Sequence, residues 1–303
     1  MKKAIAVVIL IVLILALWGA YVAYAVMTIN PLLTAEWGNV SEEKVEVVVD
    51  AELGKALLVP ASVESLSMQF NGVEVASLEE FDYSPTKSNA RIVIGIDPNE
   101  LVRALERYFE SNQHGELSVE ARLGGLFGLL HPTLTFSREF QQDILGQMDF
   151  KAESKPIFGG LLYTPSVEGT KVVWLGAENG VWNLKTYAML KNPNSFPIPV
   201  SNLEFEVSVN GIKVGVGNIS QGVTIPAGGV ATVPIDTEIY SEYLPMVLVA
   251  HIKNGEESSV EVNFYITVSA GGKSSRIKLT SERIIIQTDI MASINDAFRG
   301  DFS

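Results

Sequence analysis

The chain repeats itself, and that repetition constrains its folding more than any other feature. Leu66 to Val75, LSMQFNGVEV, reads against Phe205 to Val214, FEVSVNGIKV, 139 residues further on. The same spacing carries Pro60 onto Pro199, Ser62 onto Ser201, Ile96 onto Ile235 and Asp97 onto Asp236. Near the end of each copy Ser137-Arg138-Glu139 resembles Ser281-Glu282-Arg283 at a wider spacing, so the second copy carries a few inserted residues. A register held from residue 60 to 97 points to two tandem domains, and 303 residues suffice for two ordinary cores.

Both copies read as antiparallel β-structure. Leu66, Met68 and Phe70 alternate with polar residues, Asn71-Gly72 turns the chain, and Val73 and Val75 continue the apolar face. Asn-Gly suits a two-residue turn that needs positive φ twice. Phe205, Val207 and Val209, then Asn210-Gly211, then Ile212 and Val214 repeat the pattern. One buried and one wet face predict a mainly β fold, with two tandem immunoglobulin- or fibronectin-III-like antiparallel β-sandwiches. A short helix is expected in each. In the first it follows Asp97-Pro98, with Leu101, Leu105 and Tyr108-Phe109 as its apolar stripe. In the second it starts after Asp236, is broken by Pro245 and ends at Asn254-Gly255. The expected division is a leader at 1–28, domains at 29–150 and 169–292, a linker at 151–168 and a tail at 293–303.

The leader is apolar. After Lys2 and Lys3 no charged residue occurs before Glu36, and Ala4 to Val26 is almost wholly aliphatic. As a helix that stretch spans about 34 Å, enough for a hydrocarbon layer of ~30 Å. Trp18, Tyr21 and Tyr24 gather toward its far end, where such rings favour the headgroup zone. The expected topology is one N-terminal transmembrane helix with the lysines cytoplasmic and the bulk of the chain extracytoplasmic at the cell membrane. The lipid bilayer is then the first partner. A secretory signal cleaved after Ala25 is the rival reading, disfavoured by a stretch longer than a signal's ~7–15 apolar residues. The net charge of −13 disfavours nucleic acid as a partner.

The segment Asn192-Pro193-Asn194-Ser195-Phe196-Pro197-Ile198-Pro199, followed by Asn210-Gly211 and Thr224-Ile225-Pro226-Ala227, gives a more specific signal. It resembles the LEA type 2 family, that is, the LEA14-like or water-stress-and-hypersensitive-response (WHy) domain. The resemblance is strong over about 185–290 and weaker over about 45–144, where Leu53-Gly54-Lys55 stands in place of Asn192-Pro193-Asn194. The resemblance implies a folded β-sandwich associated with stress and desiccation tolerance, with no catalytic residues and no cofactor. Asn192, Pro193, Asn194, Pro197, Pro199, Asn210, Gly211 and Pro226 would serve structure. The prolines fix φ and forbid ladder donation along the lead-in to an edge strand.

No chemistry emerges from the remaining motifs. The absence of Cys excludes disulfides, thiolate metal sites and cysteine nucleophiles. His114, His131 and His251 have no metal-ligand spacing, no nucleophile motif occurs, and Gly215-Val216-Gly217 reads as a strand end or bulge. Glu79-Glu80 with Asp82, and Glu256-Glu257, read as solvated surface. Leu123 to Leu130 is an apolar run in which Leu126, Phe127 and Leu129 either fill a core or form a contact tip for a bilayer or partner. The expectation is a non-enzymatic, membrane-anchored surface protein that protects or binds. A cell-envelope adhesion or assembly module that pairs with a partner protein is the alternative.

Overall fold

A computed structural model of the chain describes residues 13, 16–18, 20–22, 24, 25, 27, 28, 30–125, 131–146, 149, 151–200, 203–219, 221–270 and 273–299. Among these residues two seven-stranded antiparallel sheets dominate. The first contains β1 (Leu32–Val40), β2 (Val45–Glu52), β3 (Ala61–Phe70), β4 (Val73–Tyr83), β5 (Asn89–Ile96), β6 (His114–Gly125) and β7 (Thr133–Gln141), in the order β1-β2-β5-β4-β3-β6-β7. Helix α1 (Pro98–Glu110) lies in sequence between β5 and β6.

After a short hairpin, β8 (Pro156–Ile157) with β9 (Leu162–Tyr163), the second sheet follows. Its strands are β10 (Ser166–Glu178), β11 (Val181–Lys191), β13 (Leu203–Val209), β14 (Ile212–Ile219), β16 (Val230–Tyr240), β17 (Glu257–Ala270) and β18 (Lys273–Gln287). Their order is β10-β11-β16-β14-β13-β17-β18, the same connectivity as in the first. Helix α2 (Leu244–Lys253) lies between β16 and β17, and β12 (Ile198–Val200) pairs with β15 (Val223–Ile225) beside the sheet.

The two Asn-Gly hairpins match in detail. Asn71 and Gly72 adopt φ of 50° and 69°, Asn210 and Gly211 of 52° and 81°. A bulge lies beside each turn at corresponding residues, where Met68 and Gln69 face Ala76 and Glu74 and where Val207 and Ser208 face Gly215 and Lys213. Each turn asparagine also ties its hairpin to the strand beyond. The Asn71 backbone N–H donates to Glu116 O while Glu116 N donates to Asn71 Oδ1, and Asn210 with Ser259 repeats the exchange. Asn179-Gly180, with φ of 53° and 79°, makes a third such turn between β10 and β11.

The register does not run unbroken to Asp97. Ala76 pairs with Ile96, whereas Gly215, 139 residues on, pairs with Ile239. The added residues therefore lie before β16, and Asp236 stays inside that strand, ion-paired to Lys185 at 2.5 Å, instead of capping a helix. Pro245 does not break α2. It occupies the first turn, where a missing N–H costs nothing.

By compactness the chain forms two units that do not follow its linear division. One comprises residues 1–97, 116–138 and 289–303, the other 98–115 and 139–288. Helix α1, in sequence part of the first copy, packs in the second unit against α2 and β10. There Phe109 meets Trp174 and Trp182 at ring-centroid distances of 5.2 and 5.6 Å, and Trp182 Nε1 donates to Glu106 Oε2 at 2.8 Å. Residues 290–299, read largely as tail, form helix α3, which packs on β1 in the first unit. Asn295 brackets Ala35 there, accepting from its N–H and donating to its C=O. Residues 151–168, read as linker, include the β8–β9 hairpin and an Ala152–Val167 bridge.

Each unit has its own core. In the first, Ala35, Val47 and Val49 gather Trp37, Ile92, Ile96, Met291 and Ile294. In the second, Leu190, Phe205, Ile225, Val233 and Ile235 gather side chains from β10, β12 and β17 as well. Gly217 faces Phe205 across the hairpin, and a Cβ there would lie 2.1 Å from the ring.

Candidate functional site

The proline-led motif is a buried amide staple. β11 ends where Lys191 pairs with Val230, and the next amide, Asn192 N, donates to Gly229 O at 2.9 Å. The Asn192 side chain is fully buried, so each of its polar atoms needs a partner. Its Nδ2 donates to the carbonyls of Phe196, Pro226 and Ile225 at 2.7, 3.2 and 3.4 Å. Its Oδ1 accepts from both nitrogens of Asn194 at 2.9 Å. Asn194 in turn exchanges hydrogen bonds with the backbone of Tyr163 and accepts from Gly228 N. Two asparagines thus fasten the 192–199 segment to the 225–229 turn and to the β8–β9 hairpin.

Pro197 and Pro199 then line an apolar hollow of about 260 Å³ with Tyr163, Pro165, Phe196 and Ile198. The hollow is lined by no ionisable side chain apart from the Tyr163 phenol, so it suits an apolar segment and no acid–base step. A second cavity of about 630 Å³ in this unit is lined by Phe109, Asp143, Asp149, Thr170 and Trp174 among others. Two of its three carboxylates already serve the fold. Asp143 accepts from Gly146 N and Gln113 Nε2, which hold its carboxyl below the usual range, and Asp149 accepts from Thr170 N.

A nucleophile–base pair that the sequence reading missed lies at the end of α2. His251 Nδ1 is 2.9 Å from Ser258 Oγ, its Nε2 is 2.8 Å from Thr288 Oγ1, and Thr288 Oγ1 donates to Glu256 Oε2 at 3.3 Å. Glu256, read as solvated surface, is only 7% exposed, and Ser258 is 5% exposed. Burial lowers the His251 pKa, against a smaller opposing effect of Glu256. Neither cavity is lined by these residues, and Ser258 Oγ also accepts from Asn210 Nδ2. The cluster therefore locks α2 to β17 and to the chain after β18. Its signal was a histidine seven residues from a serine, a spacing with no periodic meaning on a helix that ends between them.

His131 pairs with Glu64 at 2.5 Å, and His114 Nδ1 lies 3.2 Å from Asn112 O. Among the described residues no group of three or more His, Asp and Glu could hold a metal ion. Leu126, Phe127 and Leu129 lie outside the described residues, as do Lys2 and Lys3.

The described residues of 13–27 are helical, and no helix among the described residues is long and apolar enough to cross a membrane. The leader aromatics instead show a specific engagement. Trp18 Nε1 donates to Leu58 O at 2.8 Å and Tyr21 Oη to Ala56 O at 2.6 Å, while Lys55 Nζ lies 4.7 Å from the Tyr24 ring centroid.

The fold and its hydrogen-bonded motif define a β-sheet scaffold whose distinctive polar residues are spent on structure. Residues 188–283 match the family model of the late embryogenesis abundant proteins. No curated protein matches the chain in sequence. Among solved structures, a protein from Archaeoglobus fulgidus is 23% identical at a TM-score of 0.31, over 41% of this chain and 98% of its own. The solution structure of a protein from Arabidopsis thaliana is 17% identical at 0.29, over 49% of this chain and 89% of its own. Likenesses at these scores fix neither fold nor function.

Proposed function

We propose that this is a non-catalytic LEA-type protein with two tandem domains, held at the outer face of a membrane by its leader. Its role is stress-related protection or binding at the cell surface. The match of residues 188–283 to the late embryogenesis abundant family carries this reading. The shared strand order and the matching hairpins support the tandem domains. A sandwich-like curl of the second sheet is supported by its core, where residues of β10 and β17, five strands apart in the sheet order, pack against one cluster. The absence of any charge between Lys3 and Glu36 supports the anchor.

Two measurements on the full chain test the reading. In cells, it should resist carbonate extraction and be digested by protease added outside, and recovery from the cytosol would sink the anchor. Vesicles carrying it should leak less dye after drying and rehydration than bare vesicles, and equal leakage would sink the protective role.

The alternative, a module that pairs with a partner protein, rests on β18. It is the last strand of its sheet, and Ile284, Ile285 and Ile286 are 39%, 54% and 48% exposed. An open apolar edge invites strand addition.

A further inference from the structure

We infer that residues 55–58 form a second membrane contact, with Leu57 and Leu58 seated in the outer interface of the bilayer alongside the leader helix. The inference rests on the reading of that leader as an anchor. Three contacts run in order along both partners. Lys55 Nζ donates to Thr28 Oγ1 at 2.5 Å, Ala56 O accepts from Tyr21, and Leu58 O accepts from Trp18. The loop therefore runs back along the helix, whose rise from Thr28 to Trp18 is about 15 Å at ~1.5 Å per residue, a span that the long Lys55 and Trp18 side chains help to bridge. Its charged residue sits at the outer end, Ala56, Leu57 and Leu58 follow the helix inward, and Val59 turns into the protein core.

Two further observations suit a lipid seat. Backbone carbonyls that enter a bilayer interface need internal donors, because unsatisfied polar groups are costly there. Ala56 and Leu58 have them from Tyr21 and Trp18. Leu58 is held at φ 57°, a conformation costly for a bulky side chain, and is 40% exposed. Its N–H is fixed to Pro85 O at 2.9 Å, so the turn is pinned with an apolar side chain pointing outward.

Charge agrees with this placement. The chain as a whole is at −13, yet residues 53–60 and the adjoining 84–88 turn carry Lys55 and Lys87 and no carboxylate. Two cations at the rim of an apolar loop match a layer of lipid phosphates.

The absence of cysteine makes the test direct. Leu58→Cys, Leu17→Cys and Gln69→Cys variants of the full chain, each labelled with an environment-sensitive fluorophore, are reconstituted in phosphatidylcholine vesicles containing acyl-chain spin-labelled lipid. Gln69 is exposed at the far end of β3 and serves as the aqueous reference. The label at Leu58 should be blue-shifted and quenched several-fold more than the label at Gln69. Quenching at Leu17 with a Leu58 signal like that at Gln69 would overturn the loop contact and leave the anchor standing. No quenching at either leucine would overturn both. Leu57→Cys supplies a second reading of the loop should Leu58→Cys fold poorly.

Discussion

The segment that follows the second strand of each sheet differs between the two units although it starts from the same place in the shared pattern. Both strands end alike. Glu52 pairs with Asn89 and Leu53 N donates to Ser88 O, just as Lys191 pairs with Val230 and Asn192 N donates to Gly229 O. Leu53 therefore stands where Asn192 stands. In the second unit two buried carboxamides fold the next residues back onto their own unit. In the first, Leu53-Gly54-Lys55 offers no such amides, and the loop meets Trp18 and Tyr21 instead. One frame thus carries either an internal staple or an outward contact, according to two side chains.

The comparison breaks if Asn192 is replaceable. Asn192→Ala should cost the second unit about 3 kcal/mol, because three carbonyls and two Asn194 nitrogens lose a buried partner. Leu53→Ala should cost the first about 1 kcal/mol by lost half-buried contact. Urea unfolding followed by hydrogen exchange resolves the two, and equal losses would refute the contrast.

A smaller effect concerns the cores. Gly217→Ala should cost about 2 kcal/mol through the clash with Phe205. Leu66 and Leu78 hold the corresponding positions in the first unit. Adding Phe205→Leu to Gly217→Ala should therefore restore most of the urea midpoint. A double variant no better than the single one would show that the two hairpins are packed by different rules.

Trp182→Phe should cost about 1 kcal/mol by removing the hydrogen bond to Glu106, and should speed amide exchange in α1 above all. Exchange unchanged in α1 would deny that this helix is held by the second unit.

The smallest effect is one of pH. Burial depresses the His251 pKa, so the folded state binds its proton less readily than the unfolded chain. The unfolded form then binds more protons as pH falls below about 6.5, and the second unit should lose stability there while holding it above. The urea midpoint of His251→Gln, measured at pH 7.5 and 5.5, should drop less than that of the parent. An identical drop would place the acid sensitivity elsewhere.

Local signals were legible where the chemistry is local. Asn71-Gly72 and Asn210-Gly211 demanded positive φ at both residues, and the structure gives it. Asn179-Gly180 carries the same signal outside the repeat and makes the same kind of turn. The Ile96–Ile235 match misled, since β-strands tolerate a shifted alignment wherever apolar residues alternate. The Ser258–His251 contact was invisible because a helix end and a strand start meet only in three dimensions.

The sequence by itself determined the period of the strands and the position of the turns, because each depends on residues within a few positions of one another. Along α1 the buried face runs through Val102, Ala104, Tyr108 and Phe109, with Leu101 and Leu105 only half-buried. Tertiary structure alone decided which surface that face covers. An amphipathic helix specifies an apolar face without naming its partner, and α1 found Trp174 and Trp182 in the second unit. Helix α3 likewise found β1, some 260 residues away along the chain, through an Asn295 amide that satisfies Ala35 at both its donor and its acceptor.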